Sequence, residues 1–119
     1  MNTARDGMAP RAPLAHLASQ AELDALIAAP KPLLLTFTGP RCIICRQLAP
    51  MLQVVAREAG DALASAKVDA EALADISERY DIRSLPTTII FRDGRIADRI
   101  TGFATAGRLR DWVAQHALA

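Results

Sequence analysis

Leu33-Leu34-Leu35-Thr36-Phe37-Thr38-Gly39-Pro40-Arg41-Cys42-Ile43-Ile44-Cys45 puts an apolar run, a turn and two cysteines in one uninterrupted stretch. The run from Leu33 to Phe37 suits a strand covered on both faces. Thr38-Gly39-Pro40-Arg41 suits a turn, and the pattern from Ile43 onward is helical. Cys42 and Cys45 are the only two cysteines of the chain. Two residues between them, at the start of a helix, let the sulfurs meet as a disulfide and part again as a dithiol. Free N–H groups and the dipole at a helix start stabilise negative charge, so the first sulfur is expected to ionise below the free-thiol value of about 8.5. Strand, Cys-x-x-Cys, helix is the sequence sign of a thiol–disulfide redox site.

Outward from that stretch, the helix over residues 43–59 repeats Leu48, Leu52 and Val55 at turn spacing. Pro50 inside it is expected to kink it, and Gly60 to end it. Upstream, residues 14–18 read as a short edge strand. Ser19-Gln20-Ala21-Glu22 is a capping box opening a helix that carries Leu23, Leu26 and Ile27 on one face and stops before Pro30. Downstream, residues 63–68 give a weak, alanine-rich strand and residues 72–80 a helix with Leu73 and Ile76 inward. Leu85-Pro86-Thr87-Thr88-Ile89-Ile90-Phe91 is a β-branched strand starting at a proline. Asp93-Gly94 is a two-residue hairpin turn, and residues 96–100 return beside that strand. Gly102 breaks the return, and residues 105–118 form a last amphipathic helix through Leu109, Trp112 and Val113. Strands and helices in this order imply a mixed central sheet flanked by helices. Residues 1–13 read as a flexible lead and residues 14–119 as one domain.

With 119 residues the chain can build a core without staples. Hydrophobic residues make up 51% and the formal net charge is +1, so nothing points to nucleic acid. Arg41, Arg46 and Arg83 form a basic cluster near the cysteines, read first as soluble surface and second as a bias on docking proteins. No apolar stretch approaches the ~20 residues of a membrane span. The first residues lack the apolar core of a secretory signal, so the cytosol is the expected address. There a cysteine pair is more often catalytic or metal-binding than a structural staple.

Several features stand in register with the thioredoxin family, which the chain resembles from about Leu14 to the C-terminus. Cys-x-x-Cys follows the central strand, and Pro50 falls where the family kinks its active-site helix. Tyr80-Asp81-Ile82-Arg83-Ser84-Leu85-Pro86-Thr87 matches the stretch around the family's cis-proline. Phe91-Arg92-Asp93-Gly94 matches its hairpin and Gly102 its glycine beside the active site. The resemblance implies an α/β thioredoxin fold, with a central mixed sheet of about four to five strands and about four helices. It implies Cys42 as exposed nucleophile and Cys45 as buried resolving thiol. It implies a cis Leu85-Pro86 bond flanking the disulfide, with the Leu85 backbone open to a substrate strand. Lys67 matches a lysine beneath the active site.

The departures carry as much chemistry. Arg41-Cys42-Ile43-Ile44-Cys45 stands where the family usually has Trp-Cys-Gly-Pro-Cys, and Thr38 where a second tryptophan is usual. Thr36 occupies the place of a buried aspartate, and Phe103 that of a small residue. Without the carboxylate, deprotonation of Cys45 is expected to be slower and left to water or Lys67. Ile43 and Ile44 surround the sulfurs with apolar bulk, while Arg41 and the helix dipole favour the Cys42 thiolate. A site whose reduced form is stabilised is more oxidising, so a potential above that of an ordinary thioredoxin is expected.

The expected function is a protein disulfide oxidoreductase with no cofactor beyond its own Cys42–Cys45 disulfide. Cys42 and Cys45 act catalytically, Arg41, Ile43, Ile44, Leu85, Pro86 and Gly102 meet the client, and Thr36 and Lys67 support. Its partners would be disulfide-containing clients and a thioredoxin reductase or other dithiol donor, and the protein itself a monomer. The alternative is a binding, co-chaperone or redox-sensor module on the same fold. A metal site is the third reading and fits poorly, because His16 and His116 lack ligand spacing to the cysteines. Asp69, Glu71 and Asp75 read as a solvated helix start.

Overall fold

The computed structural model describes residues 14–118, so the lead expected over residues 1–13 lies outside the described residues. The chain runs β1 (Ala15–His16), α1 (Gln20–Ala28), β2 (Leu33–Thr38), α2 (Ile43–Ala59), β3 (Ala64–Asp69), α3 (Ala74–Arg79), β4 (Thr87–Arg92), β5 (Arg95–Thr101) and α4 (Ala106–Val113). Its sheet has the order β1-β3-β2-β4-β5. β3 is parallel to both β1 and β2, while β4 is antiparallel to β2 and to β5.

β2 is central because it has nothing to show to water. Leu33, Leu34, Leu35, Thr36 and Phe37 are all fully buried. Alternation sends Leu33, Leu35 and Phe37 to one face, with Ala66, Val68, Ile89 and Phe91 from neighbouring strands. Leu23 of α1 and Ile76 of α3 close over that face. Leu34 points the other way, with Ile90, into Leu48, Leu52 and Val55 of α2 and Leu109 and Val113 of α4. Thr36 shares the parity of Leu34 and therefore lies on the α2 face.

The local signals act as expected, with small changes at the ends. Ser19 Oγ accepts the Glu22 N–H at 3.2 Å, but the Glu22 carboxylate reaches one residue further back than the box requires, to the Ala18 N–H at 2.7 Å. The edge strand shrinks from residues 14–18 to two residues, because Leu14 turns into the core beside α2 and Leu17 joins the sheet only through its N–H, to the Lys67 carbonyl, while its side chain packs on the opposite face. α3 begins later than its apolar pattern, at Ala74. The Asp69 carboxylate accepts the N–H groups of Glu71 and Ala72 at 2.9 and 3.1 Å and holds residues 70–73 as a turn. Asp93 and Gly94 both have positive φ, the pairing a tight two-residue hairpin requires. Pro50 sits inside α2 without interrupting its helical run, leaving the Arg46 carbonyl without its usual donor.

The C-terminal helix departs most from the sequence pattern. Regular α-helix stops at Val113, and residues 114–118 continue as a wider π-helical turn. Trp112 is half-buried and does more than fill the core: its Nε1 donates to Asp98 of β5 at 2.7 Å. His116 Nε2 lies 3.3 Å from the same Asp98 oxygen, and its ring meets the Trp112 ring edge-on. Arg110 adds a two-pronged bond to Glu58 of α2 at 2.8 and 2.9 Å, which holds Glu58 below its ordinary carboxylate range.

Asp98 is likewise held below the usual range, first by the indole N–H, which outweighs the opposing effect of burial, and then by the Arg99 backbone and His116. A depressed carboxylate stabilises the fold above the unfolded value of about 3.9 and loses that stabilisation as pH falls through the folded value. Asp98→Asn should therefore cost at most about 1 kcal/mol at pH 7, since the pair is partly exposed. Urea unfolding from pH 7 to pH 2 should show the variant and the parent converging in acid. A constant gap across that range would remove the carboxylate from the account.

Candidate active site

The turn after β2 delivers the cysteines to the start of α2. The Cys42 N–H donates to the Gly39 carbonyl at 3.4 Å, and Cys42 itself adopts extended geometry as the N-cap of α2. Its Sγ takes the place of a capping oxygen, accepting the Cys45 N–H at 3.1 Å. Cys42 and Cys45 are joined as a disulfide across a Cα separation of 5.2 Å. Cys42 is half-buried, whereas Cys45, one turn on and facing the core, is only 6% exposed. Between them Ile43 is 65% and Ile44 41% exposed.

A second loop closes on this turn. A Cβ placed on Gly39 would come within 3.0 Å of Leu85 Cδ1, so the two loops are in close packing. The Leu85–Pro86 peptide is cis. Pro86 is buried, Thr87 Oγ1 donates to the Ser84 carbonyl at 2.7 Å, and the Gly102 N–H donates to the Pro86 carbonyl at 2.9 Å. Gly102 has φ +82°, a conformation side-chain-bearing residues rarely adopt, and it leads straight to Phe103, which is 46% exposed. Of the residues picked out from sequence, Cys42, Cys45, Ile43 and Ile44 thus stand on one helix end. Leu85 packs against the turn before it, and Pro86 is tied to Gly102.

Arg41 and Arg83 point elsewhere: Arg41 meets Glu71 at 3.5 Å and Arg83 meets Asp81 at 2.9 Å, both on the exposed surface. Such pairs contribute little. His116 is engaged by Asp98, and no cluster among the described residues has the side chains to hold a metal ion. No helix among them is long and apolar enough to cross a membrane.

Beneath α2 the structure adds what sequence reasoning missed. Thr36 and Thr88 face each other in register across β2 and β4, both buried, with their hydroxyl oxygens 3.2 Å apart. Thr88 carries no signal of its own in the sequence, since Thr87 beside it is equally polar and only the β2–β4 register sets it opposite Thr36. Behind Cys45 lies a cleft of about 130 Å³ lined by Thr38, Gly39, Cys45, Arg46, Ala49 and Lys67. Lys67 reaches it because Ala66 and Val68 take the opposite face of β3.

A parallel–antiparallel sheet carrying a helix-capping Cys-x-x-Cys against a cis-proline loop defines a thioredoxin-like redox fold. The thioredoxin family profile matches residues 15–115, and the chain belongs to that family. It is 36% identical over 96 residues to a thioredoxin of Mycoplasmoides gallisepticum, covering 81% of this chain and 95% of that one. Against the chloroplastic thioredoxin Y of rice it is 38% identical over 79 residues, 66% of this chain, and spans about half the relative's length (47%). The crystal structure of Malassezia sympodialis thioredoxin superimposes with a TM-score of 0.81 at 25% identity, covering 90% of this chain and 93% of the other.

The paired hydroxyls make the floor of the site uncharged. Removing one hydroxyl strands the other in the core, whereas removing both leaves matched apolar surfaces. Thr36→Val and Thr88→Val should each cost about 1–2 kcal/mol, and the double variant less than their sum. Thr36→Asp should cost about 3 kcal/mol at neutral pH, because a carboxylate would be buried against a single hydroxyl. Burial raises such a group's folded pKa, so this last penalty should shrink as pH falls below the raised folded value and be nearly gone at the unfolded value of about 3.9. Unfolding curves at pH 7 and pH 4 check both points.

Proposed function

We propose that this protein is a thiol–disulfide oxidoreductase acting on protein disulfides. The observation that carries the reading is Cys42 at the N-cap of α2, its sulfur accepting the Cys45 N–H at 3.1 Å. In the reduced protein that N–H and the helix dipole would bear on a thiolate, lowering its pKa. Cys42 Sγ attacks a client disulfide, one client sulfur leaves as thiolate, and a mixed disulfide forms. Cys45 then attacks Cys42, the second client sulfur leaves, and the Cys42–Cys45 bond closes. The two electrons given to the client come from the dithiol, and a separate dithiol donor, by family a thioredoxin reductase, restores it. The two sulfurs suffice for this chemistry without a cofactor.

Ile43, Ile44 and Phe103 give the client an apolar landing surface, and the loop at Leu85, Pro86 and Gly102 offers backbone for it to lie against. Arg41 is held by Glu71 and plays a smaller part than its position in sequence suggests. The isoleucine pair and the uncharged floor favour a narrower set of clients than a general reductant serves. A stabilised Cys42 thiolate would place the potential above that of an ordinary thioredoxin. We infer a monomer working in the cytosol.

Insulin reduction with dithiothreitol, with Cys42→Ser beside the parent, tests the reading. Turnover should fall to the uncatalysed rate in the variant. Ile43→Ser should lower kcat/KM about tenfold, on the order of 1.4 kcal/mol of lost apolar contact. Absence of turnover in the parent with a reducible disulfide would put the docking or sensor role in its place.

A further inference from the structure

We propose that the cavity between α1 and the β4–β5 hairpin binds a small aryl carboxylate, with its ring on Phe91 and Ile96 and its carboxylate on Arg79. The cavity lies toward the end of the sheet away from the cysteines. β4 leaves the cis-proline at Thr87 and reaches the cavity at Phe91, roughly 13 Å further along the strand. The volume is about 410 Å³, within the range of pockets that take small organic ligands. The oxidoreductase reading makes no use of it.

α1 supplies one wall, because Asp24 and Ile27 lie three residues apart on one helix face. The opposite wall comes from a bulge in the hairpin. Ile90 pairs with Asp98 but Phe91 pairs with Ile96, so Ala97 is an extra residue on β5. Unbroken pairing would set Ile96 opposite Arg92, on the other face of the sheet. The bulge turns Ile96 onto the face of Phe91 instead, a re-aiming that bulges perform beside functional sites. Ile96 stays 44% exposed there, an apolar side chain without cover, while Phe91 is buried as the floor. Tyr80, at the end of α3, meets Phe91 edge-on with 5.6 Å between centroids, and its hydroxyl forms no hydrogen bond among the described residues. Arg79 lies over the Tyr80 ring, its guanidinium carbon 5.5 Å from the centroid. Packing on the ring steadies the guanidinium without using its N–H groups. Among the described residues it donates no hydrogen bond, and its ion pair with Asp24 is long, at 3.9 Å. Asp24 is already engaged, accepting the side-chain amide of Gln20 at 2.7 Å. An unspent cation thus stands over an apolar, aromatic floor. A carboxylate meets a guanidinium through two parallel hydrogen bonds, and a third ring suits the edges and faces that Tyr80 and Phe91 present.

Titration of the isotope-labelled full chain with phenylacetate, followed by backbone amide shifts in NMR spectra, tests the site. Saturable shifts are expected at Ile27, Tyr80, Gly94 and Ile96, with half-saturation at about millimolar concentration, the range that a ligand of about ten heavy atoms reaches. Phenylacetamide, which has the same shape without the charge, should bind about fivefold more weakly, and acetate, which lacks the ring, should give no saturable shift. Arg79→Met should bring phenylacetate down to the affinity of the amide, whereas Ile96→Ser should weaken both about threefold. Asp24→Asn should leave phenylacetate binding unchanged or tighten it by up to about threefold. Equal affinity for the acid and the amide would overturn the proposal, as would unchanged binding in Arg79→Met or Ile96→Ser, or weaker binding in Asp24→Asn. Shifts confined to residues around Cys42 would also overturn it, by placing the ligand on the apolar rim of the disulfide.

Discussion

Strand β2 is the constraint from which the rest follows. Five consecutive residues from Leu33 to Phe37 are fully buried, so each face of the strand must be covered. α1 and α3 answer Leu33, Leu35 and Phe37, and α2 and α4 answer Leu34. The helix that covers the second face has to begin where the strand ends, after a turn of only a few residues. That requirement brings α2's first turn, and with it Cys42 and Cys45, to the end of the sheet. The same strand pairs with β4, which begins directly after Pro86, so the cis-proline loop arrives at the same end. The site is a consequence of covering one strand on both sides.

Beneath the cysteines, the molecule replaces charge with hydrogen bonding. Two hydroxyls satisfy each other between β2 and β4, avoiding the desolvation cost of an ion in that position. Arg46 and Lys67 line a small cleft beside Cys45.

The backbone of this arrangement was legible in the residues. An apolar run followed by a turn and Cys-x-x-Cys marked β2 and α2, and Asp93-Gly94 marked the β4–β5 hairpin because both positions need positive φ. Ends were less legible. Leu14 and residues 72–73 read as parts of regular elements, but the core takes the first and the Asp69 carboxylate turns the others. Contacts across strands were least legible of all. Nothing near Thr36 announces Thr88, and nothing near Arg46 announces Lys67, because register and sheet order bring them together. Trp112 reads as core by its spacing, yet the polar edge of its ring finds Asp98, a residue on a strand whose face the linear pattern does not reveal.

That last contact decides what a fluorimeter would see. Trp112 is the chain's only tryptophan. Its indole N–H is held by Asp98 and its ring meets the imidazole of His116 edge-on, at a centroid distance of 6.2 Å. The carboxylate fixes the hydrogen bonding of the ring's polar edge. The intrinsic emission of this protein is therefore a gauge of how its C-terminal turn is seated on β5. Oxidation of the sulfurs would reach it only through the helices packed between.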